Sequence, residues 1–189
     1  LALLCRERLA EYKRVTGKTA KVVFLANHGI FFAADSADEL DATVAGIMEK
    51  LGAVIIRRPD FSPAESDTET AVKTAVVLRM FGGVGKPVAA HFVCNREVMN
   101  FAACEDAFRP LTGSFTPDHI VYCKAHPLFI NSAEPDEIKS ALSGYAESYN
   151  CKPKVVFVKG LGMFALGSTR REAETVEAVW LDALKIAVY

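Results

Sequence analysis

An internal repeat constrains the fold of this chain more than any other feature of its sequence. Residues 21–51 and 154–184 align without a gap, and both begin Lys-Val-Val-Phe. Further identities follow at equal spacing along the two segments: Gly29 with Gly162, Phe31 with Phe164, Glu39 with Glu172, Ala45 with Ala178 and Leu51 with Leu184. Repetition of this kind indicates that one supersecondary unit occurs twice in the chain.

Both copies predict the same local structure. In the first copy, β-branched and aromatic runs at Val22–Ala26 and Ile30–Ala34 predict a β-hairpin, because the Asn-His-Gly between them tolerates positive φ. Ser36 precedes Glu39 by the spacing of a capping box at a helix N-terminus. Thr169 begins the same box in the second copy, and apolar residues at helical spacing follow both boxes. The repeat is therefore predicted to be a hairpin followed by a helix.

The rest of the chain predicts further strands and helices arranged in two lobes. Arg57–Pro63 contains two prolines and interrupts the pattern, so we place a boundary between residues 1–58 and residues 64–189. Several neighbouring strands are joined by short turns, which favours antiparallel pairing. We therefore predict an α/β fold, a three-layer α/β/α arrangement with a mixed, mainly antiparallel sheet.

Three local predictions can be compared directly with a structure. Leu1–Val15 is predicted to be a helix that ends at a glycine and turns inward its apolar residues Leu4, Leu9 and Tyr12. Ser66, followed three residues later by glutamate, is predicted to cap another helix. His119–Lys124 is predicted to be a strand that pairs with Leu128–Ile130.

Composition and charge exclude several functional classes. A chain of 189 residues that is 51% hydrophobic can bury a core as one domain or two small lobes. Its net charge of −1 gives no reason to expect nucleic acid or an anionic membrane as a partner. The apolar runs are too short to predict a membrane span, and no secretory signal is evident. Five cysteines without a C-x-x-C motif predict buried, reduced thiols in a cytoplasmic protein.

One glycine-rich loop invites a phosphate-binding interpretation that its sequence does not support. Gly82–Lys86 has the composition of a P-loop, but Pro87 follows the lysine in place of the serine or threonine that holds magnesium. The loop is also predicted to lead from a helix into a strand, whereas a P-loop leads from a strand into a helix. We therefore predict no nucleotide site there.

The candidate metal ligand is His28, in the predicted hairpin turn. The second copy of the turn has Leu161 at this position, so only the first copy carries an imidazole. A turn histidine can equally be a surface or capping residue, and a catalytic zinc site needs about three protein ligands. His91 and His119 are predicted to lie in strands as packed or face residues, and no H-x-H, H-E-x-x-H or Ser-His-Asp pattern is present.

Three segments together resemble a known family. Phe24–Gly29 resembles the N-H-G segment of the class II aldolase/adducin family. Thr116–Tyr122 with Pro127–Phe129, and then Gly160–Phe164, resemble the aldolase region of bifunctional rhamnulose-1-phosphate aldolase/alcohol dehydrogenase proteins. The resemblance covers nearly the whole chain.

The resemblance implies a lyase reaction and a cofactor. Members of the family cleave a ketose 1-phosphate to dihydroxyacetone phosphate and an aldehyde, and a zinc ion polarises the ketone oxygen. Zinc is held there by an H-x-H pair and by the histidine of the N-H-G turn, while an acidic residue transfers the proton. Of these residues only the turn histidine maps onto this chain, as His28. Glu39 and Glu172 match capping positions, so no catalytic residue is assigned.

The resemblance also implies how the lobes divide. Residues 1–58 correspond to the C-terminal part of a metal-binding aldolase lobe, and residues 64–189 to a second, degenerate aldolase-like lobe. We expect the chain to be part of a longer cytoplasmic protein that acts on a sugar phosphate and forms a homo-oligomer. We expect it to hold little or no zinc and to be inactive by itself. The alternative is a metal-free, adducin-like interaction or oligomerisation module.

Overall fold

The computed structural model describes residues 2–26 and 28–189, and the sequence predictions for Leu1 and Asn27 lie outside these residues. The chain divides into two compact units, Leu1–Ile56 and Arg57–Tyr189. Among the described residues, no helix combines the length and the apolar character needed to cross a bilayer.

Where the structure describes it, the first unit contains two helices and a two-stranded hairpin. Its elements are α1 (Ala2–Thr16), β1 (Val22–Leu25), β2 (Gly29–Phe32) and α2 (Ala37–Val54). The strands pair antiparallel, with Val22 opposite Phe32 and Leu25 opposite Gly29. Ser36 accepts a hydrogen bond from the Glu39 N–H and caps α2, as the sequence predicted. The predicted hairpin and helix of the first copy are therefore confirmed.

The second unit is built on a four-stranded sheet. Its elements are α3 (Thr68–Phe81), β3 (Ala89–Val93), α4 (Arg96–Ala102), α5 (Glu105–Phe108), a 3₁₀ turn (Arg109–Leu111), a π-helical turn (His119–Cys123), β4 (Leu128–Ile130), α6 (Pro135–Tyr149), β5 (Val155–Val158), β6 (Gly162–Gly167) and α7 (Arg170–Val188). The strand order is β3-β6-β5-β4. β6 pairs antiparallel with β3 and β5, and β4 pairs parallel with β5, so the sheet is mixed and mainly antiparallel as predicted.

Helices cover both faces of this sheet. Successive residues of a strand point to opposite faces, and in β5 Phe157 packs on one side while Val156 packs on the other. The cluster around Phe157 includes Trp180 of α7, and the cluster around Val156 includes Leu78 of α3 and Leu142 of α6. The second unit is therefore a three-layer α/β/α sandwich, which confirms the predicted fold class.

The predicted strand at His119–Lys124 is wrong. Residues His119–Cys123 form a π-helical turn, and β4 pairs with β5 instead. His119 and Cys123 are both buried, whereas the three residues between them are exposed. In a strand Val121 would share the face of His119 and Cys123, so its exposure suits a helical turn, in which residues four apart share a face and the residue between them does not. The β-branched content of this short run therefore does not determine its conformation.

The predicted cap at Ser66 is also wrong, by one residue. Asp67 caps α3, and its carboxylate accepts hydrogen bonds from the Thr70 N–H at 3.0 Å and the Thr70 hydroxyl at 2.7 Å. The carboxylate charge is also favourable at a helix N-terminus. The Ser66 hydroxyl donates to the Leu161 carbonyl instead, at 2.8 Å.

Two burial predictions fail as well. The α1 side chains expected to point inward, Leu4, Leu9 and Tyr12, are exposed, and α1 has no buried residue. The described part of the first unit has only two strands, so little apolar surface is available to cover that helix. The cysteines are all free, as expected, but Cys123 alone is buried and Cys104 is exposed.

Candidate functional site

The repeat extends further in the structure than in the sequence. The elements α1, β1, β2 and α2 correspond in order to α6, β5, β6 and α7, each beginning 133 residues later. The helices α1 and α6 both contain 15 residues. This helix pair was not predicted from the sequence, because α1 and α6 are identical at only two positions, Leu9 with Leu142 and Tyr12 with Tyr145.

At the residues that the structure describes, the hairpin turns of the two copies share a backbone hydrogen bond and the conformation of a glycine. The His28 N–H donates to the Leu25 carbonyl at 3.1 Å, and the Leu161 N–H donates to the Val158 carbonyl at 3.0 Å. The glycine that follows has positive φ in both turns, 128° in the first and 145° in the second. Only glycine adopts such values without strain. The two turns therefore agree in these described features, and the first carries an imidazole where the second carries an isobutyl group.

The surroundings of the two turns differ. His28 is exposed, whereas Leu161 is only 4% exposed. A Cβ atom placed on Gly29 would meet nothing within 4 Å, but one on Gly162 would lie 2.8 Å from the Val93 carbonyl oxygen. The first turn is therefore exposed at His28 and Gly29, and the second is packed against its own unit.

Specific hydrogen bonds hold the second turn in place. The Gly160 N–H donates to the Ala102 carbonyl at the end of α4, at 2.9 Å. The Leu161 carbonyl accepts from the Ser66 hydroxyl ahead of α3. With leucine in place of histidine, this turn contributes to the packing of the second unit.

An ion pair is also repeated between the copies. Lys21 binds Glu39, and Lys154 Nζ binds Glu172 Oε1 at 2.5 Å. The hydrogen bond from Lys154, followed by those from Ser168, lowers the pKa of Glu172 to about 2. The hydrogen bond from Lys21 likewise lowers the pKa of Glu39. Both carboxylates are thus held ionised at a helix N-terminus, which does not suit a proton donor near neutral pH.

His28 does not assemble a metal site with its neighbours. Within residues 2–26 and 28–189, no three His, Cys, Asp or Glu side chains lie close enough together to hold a metal ion. A catalytic zinc requires about three protein ligands. The described residues therefore do not fit zinc by themselves, and we derive no metal-dependent step from them.

The other histidines have structural partners. His119 is buried, its Nδ1 accepts from the Thr116 N–H at 3.1 Å, and its ring also hydrogen-bonds to the Val179 backbone. Burial lowers the pKa of His119, so the ring is held neutral. His91 Nδ1 lies 2.8 Å from Glu177 Oε2. His119 and His91 thus occupy the packed and face positions that the sequence favoured over ligation.

Sequence analysis also missed a buried carboxylate. Glu97 is fully buried, and its two oxygens accept from the guanidinium of Arg57, each at 2.9 Å. It accepts a further hydrogen bond from the Asp60 N–H at 3.1 Å. Burial acts to raise the pKa of Glu97, but these hydrogen bonds outweigh it and the pKa is lowered. Glu97 therefore fastens residues 57–60 to α4, and nothing in its local sequence signals that role.

Comparison with known proteins relates part of the chain to class II aldolases. Residues 68–152 match the family model described as aldolase class II, second domain, which is somewhat less than half of the chain. The solved structure of YgbL from Klebsiella pneumoniae, described as a candidate aldolase/epimerase/decarboxylase, is 15% identical, with a TM-score of 0.43. The alignment covers 62% of this chain and 55% of YgbL, about half the length of that relative. No curated protein matches the chain.

The family match supports the relationship to the class II aldolase superfamily that the motifs suggested. It begins at the start of α3 and ends just after α6, within the second unit. The likeness to YgbL is too limited to carry an argument.

Proposed function

We propose that this chain is part of a zinc-dependent class II sugar-phosphate aldolase. The reaction is the cleavage of a ketose 1-phosphate, of the rhamnulose 1-phosphate type, to dihydroxyacetone phosphate and an aldehyde. One observation carries the proposal: the N-H-G turn presents His28 to solvent, whereas its repeat buries Leu161. The match of residues 68–152 to a class II aldolase domain supports the same reaction class.

The two units have different tasks in this proposal. The first unit contributes His28 as one ligand of a zinc ion, which supplies Lewis-acid polarisation of a carbonyl when bound. The remaining ligands come from polypeptide outside the described residues. The second unit contributes an aldolase-like framework whose own turn is used for packing.

No described residue is assigned to proton transfer or nucleophilic attack. Glu39 and Glu172 are tied to lysines, and their pKa values are lowered. Burial raises the pKa of the Cys123 thiol to about 12, so this thiol stays protonated and unreactive. The acid or base of the reaction is therefore also expected outside the described residues.

Replacement of His28 in the complete gene product tests the proposal. We expect His28→Ala to weaken the affinity for zinc and to lower the release of dihydroxyacetone phosphate from rhamnulose 1-phosphate, each by at least about a hundredfold, because a ligand of the metal is lost. The matched control is His91→Ala, which removes an imidazole paired with Glu177 and should leave both quantities unchanged. Full zinc content and activity in His28→Ala would overturn the proposal.

The chain by itself gives a second test. Because the described residues hold no metal-ligand cluster, we expect the chain alone to release no dihydroxyacetone phosphate in zinc-containing buffer. Turnover by the chain alone would contradict this expectation. A complete gene product that binds no zinc and cleaves no sugar phosphate would favour the alternative, a metal-free interaction module.

A further inference from the structure

His119 is a buried imidazole whose two ring nitrogens both have partners. The residue is only 2% exposed, and its Nδ1 lies 3.1 Å from the Thr116 nitrogen and 3.0 Å from the Thr116 hydroxyl oxygen. Because Nδ1 accepts from the Thr116 N–H, the proton of the neutral ring is on Nε2, and this N–H donates to the Val179 carbonyl of α7. The site is therefore built for one tautomer of the neutral ring.

This imidazole attaches the π-helical turn to α7. His119 and Cys123 are the buried residues of the turn, and the three residues between them are exposed. The His119 ring lies edge-on to Trp180, with ring centroids 6.2 Å apart, and the Cys123 thiol donates to the Val176 carbonyl at 3.5 Å. The turn is thus held on α7 through its first and last side chains.

Contacts that do not involve His119 fix the chain on either side of the turn. Before the turn, Leu111 is fully buried in the core. After it, the Tyr145 hydroxyl donates to the His126 carbonyl at 2.6 Å, and β4 begins at Leu128. We call residues 115–124, which lie between these anchors, the latch. Because the latch contains no strand, it can leave α7 without removing a strand from the sheet.

The latch ends on a residue in a strained conformation. Lys124 has φ 69° and ψ 166°, a combination that is adopted almost only by glycine. Its N–H donates to the Ile120 carbonyl of the turn at 3.1 Å. Such a conformation persists only where the surrounding structure enforces it. Release of the turn from α7 would therefore also relieve the strain at Lys124.

A second proton on His119 is incompatible with this packing. Protonation makes Nδ1 a donor that faces the Thr116 N–H, so that two donors oppose each other at 3.1 Å. The Thr116 hydroxyl can accept from the new N–H, but it does not replace the acceptor that the Thr116 N–H has lost. Burial of the positive ring also costs desolvation free energy, which is recovered when the ring reaches water.

The charged groups around the ring do not compensate for its burial. Asp118 precedes the turn and Asp182 lies on α7, and both carboxylates favour the charged ring. Burial has the larger effect and lowers the pKa of His119 from its ordinary value of 6.5. Burial also raises the pKa of the Cys123 thiol to about 12, against the opposing charge of Lys154, so this thiol stays neutral. His119 is thus the group of the latch that changes charge as the pH falls below neutral.

We propose that protonation of His119 releases the latch from α7 while the sheet stays folded, so that the latch is an acid-sensitive switch of the second unit. In the open state the charged ring is in water. Water also reaches the buried Trp180 indole N–H, which has no hydrogen-bond partner among the described residues. The closed state is favoured above pH 6.5, and opening increases by up to about tenfold per pH unit as the pH falls from there towards the lowered pKa of the closed state.

Amide hydrogen exchange between about pH 7.5 and about pH 5 tests this proposal on the unmodified chain. We expect the protection factors of the Thr116 and Lys124 amides to fall by up to about tenfold per pH unit below pH 6.5. The protection of Phe157 in β5 should stay constant. The lowered pKa values of Glu97 and Glu172 keep these carboxylates ionised over this range, so their contacts in the second unit remain.

Trp180 reports the same event by fluorescence, because it is the single tryptophan of the chain. Below pH 6.5 its emission should move to longer wavelength and its quenching by acrylamide should increase several-fold, with unchanged far-ultraviolet circular dichroism. His119→Asn keeps an acceptor near Thr116 but cannot be protonated, so its emission should not depend on pH. The matched control is His91→Asn, which removes a histidine paired with Glu177 and should keep the wild-type transition.

Four results would each refute the switch. These are wild-type emission that does not depend on pH, a wild-type transition in His119→Asn, loss of the transition in His91→Asn, and protection of β5 that falls together with that of Thr116. If circular dichroism shows His119→Asn to be unfolded, the exchange measurements on the unmodified chain decide. None of these results depends on zinc or on aldolase activity, so the proposed function is tested separately.

Discussion

Lys154 Nζ lies 2.5 Å from Glu172 Oε1 and joins the residue before β5 to the first turn of α7. Lys21 and Glu39 make the same pair in the first copy of the repeat. The pair ties the hairpin of each copy to the helix that follows it. Both copies of the repeat keep this ion pair, although the second has leucine in place of the turn histidine. The contact between hairpin and helix is therefore retained even where the imidazole is not.

The pair predicts how the stability of the second unit depends on pH. The pKa of Glu172 falls from 4.5 to about 2 on folding, so its stabilising contribution is present above pH 4.5 and is lost as the pH falls towards 2. We expect Glu172→Gln to lower the free energy of unfolding near pH 7 by about 1 kcal/mol, allowing for solvent screening. In urea denaturation, the free energy of unfolding of the variant should also fall less steeply than that of wild type as the pH is lowered from 4.5 towards 2.

A neighbouring glutamate is the control for this prediction. Glu174→Gln on the same helix removes an exposed pair with Arg170, and it should cost no more than about 0.5 kcal/mol. If the free energy of unfolding of Glu172→Gln fell with pH as steeply as that of wild type, the role of the Lys154–Glu172 pair would be contradicted.

Replacing His28 by leucine and Leu161 by histidine tests the difference in burial between the two turns. Leu161→His buries a polar ring in a packed position, and we expect a loss of about 1–3 kcal/mol in the free energy of unfolding of the second unit. His28→Leu alters an exposed residue and should change stability by less than about 0.5 kcal/mol. Thermal or urea denaturation measures both, and equal effects would contradict the difference in burial.

The glycines of the turns give a related prediction. Both have positive φ, so alanine is strained at either position, by about 1 kcal/mol. Gly162→Ala also forces a Cβ against Phe92 and the Val93 carbonyl, so it should cost clearly more than Gly29→Ala. Urea denaturation of the two variants compares them, and the prediction fails if Gly29→Ala is the more damaging.

Replacement of the buried Glu97 is expected to lower the free energy of unfolding more than replacement of an exposed glutamate. Glu97→Ala leaves the Arg57 guanidinium and the Asp60 N–H without their shared acceptor, and because Arg57 is itself half exposed we expect a loss of about 1–3 kcal/mol in the free energy of unfolding. Glu147→Ala, an exposed substitution on α6, should stay within about 0.5 kcal/mol. Similar unfolding midpoints for the two variants would show that Glu97 is not the anchor of residues 57–60.

Sequence analysis predicted the parts of the fold that local chemistry determines. The hairpins, the caps at Ser36 and Thr169 and the helices after them follow from turn residues, capping boxes and apolar spacing. The run His119–Cys123 was assigned incorrectly because β-branched residues suggest a strand, whereas packing buries its first and last residues on one side of a helical turn. Propensity is a weak guide where so few residues are involved.

The site was predictable only in part. The position of His28 in a turn could be predicted because Asn-His-Gly separates two strand-like runs that are repeated later in the chain, but its exposure and the burial of Leu161 depend on tertiary packing. The bidentate contact of Glu97 with Arg57 joins residues 40 positions apart, and no local pattern encodes it. The correspondence of α1 with α6 was missed because it is preserved in structure far better than in sequence.

X-ray absorption at the zinc edge of the complete gene product tests the central claim most directly. Wild type and His28→Ala are compared, with His91→Ala as the control. We predict a zinc site with imidazole ligands that loses one imidazole in His28→Ala and is unchanged in His91→Ala. A gene product without zinc, or a zinc environment that is the same in His28→Ala and wild type, would contradict the assignment of His28 as a metal ligand.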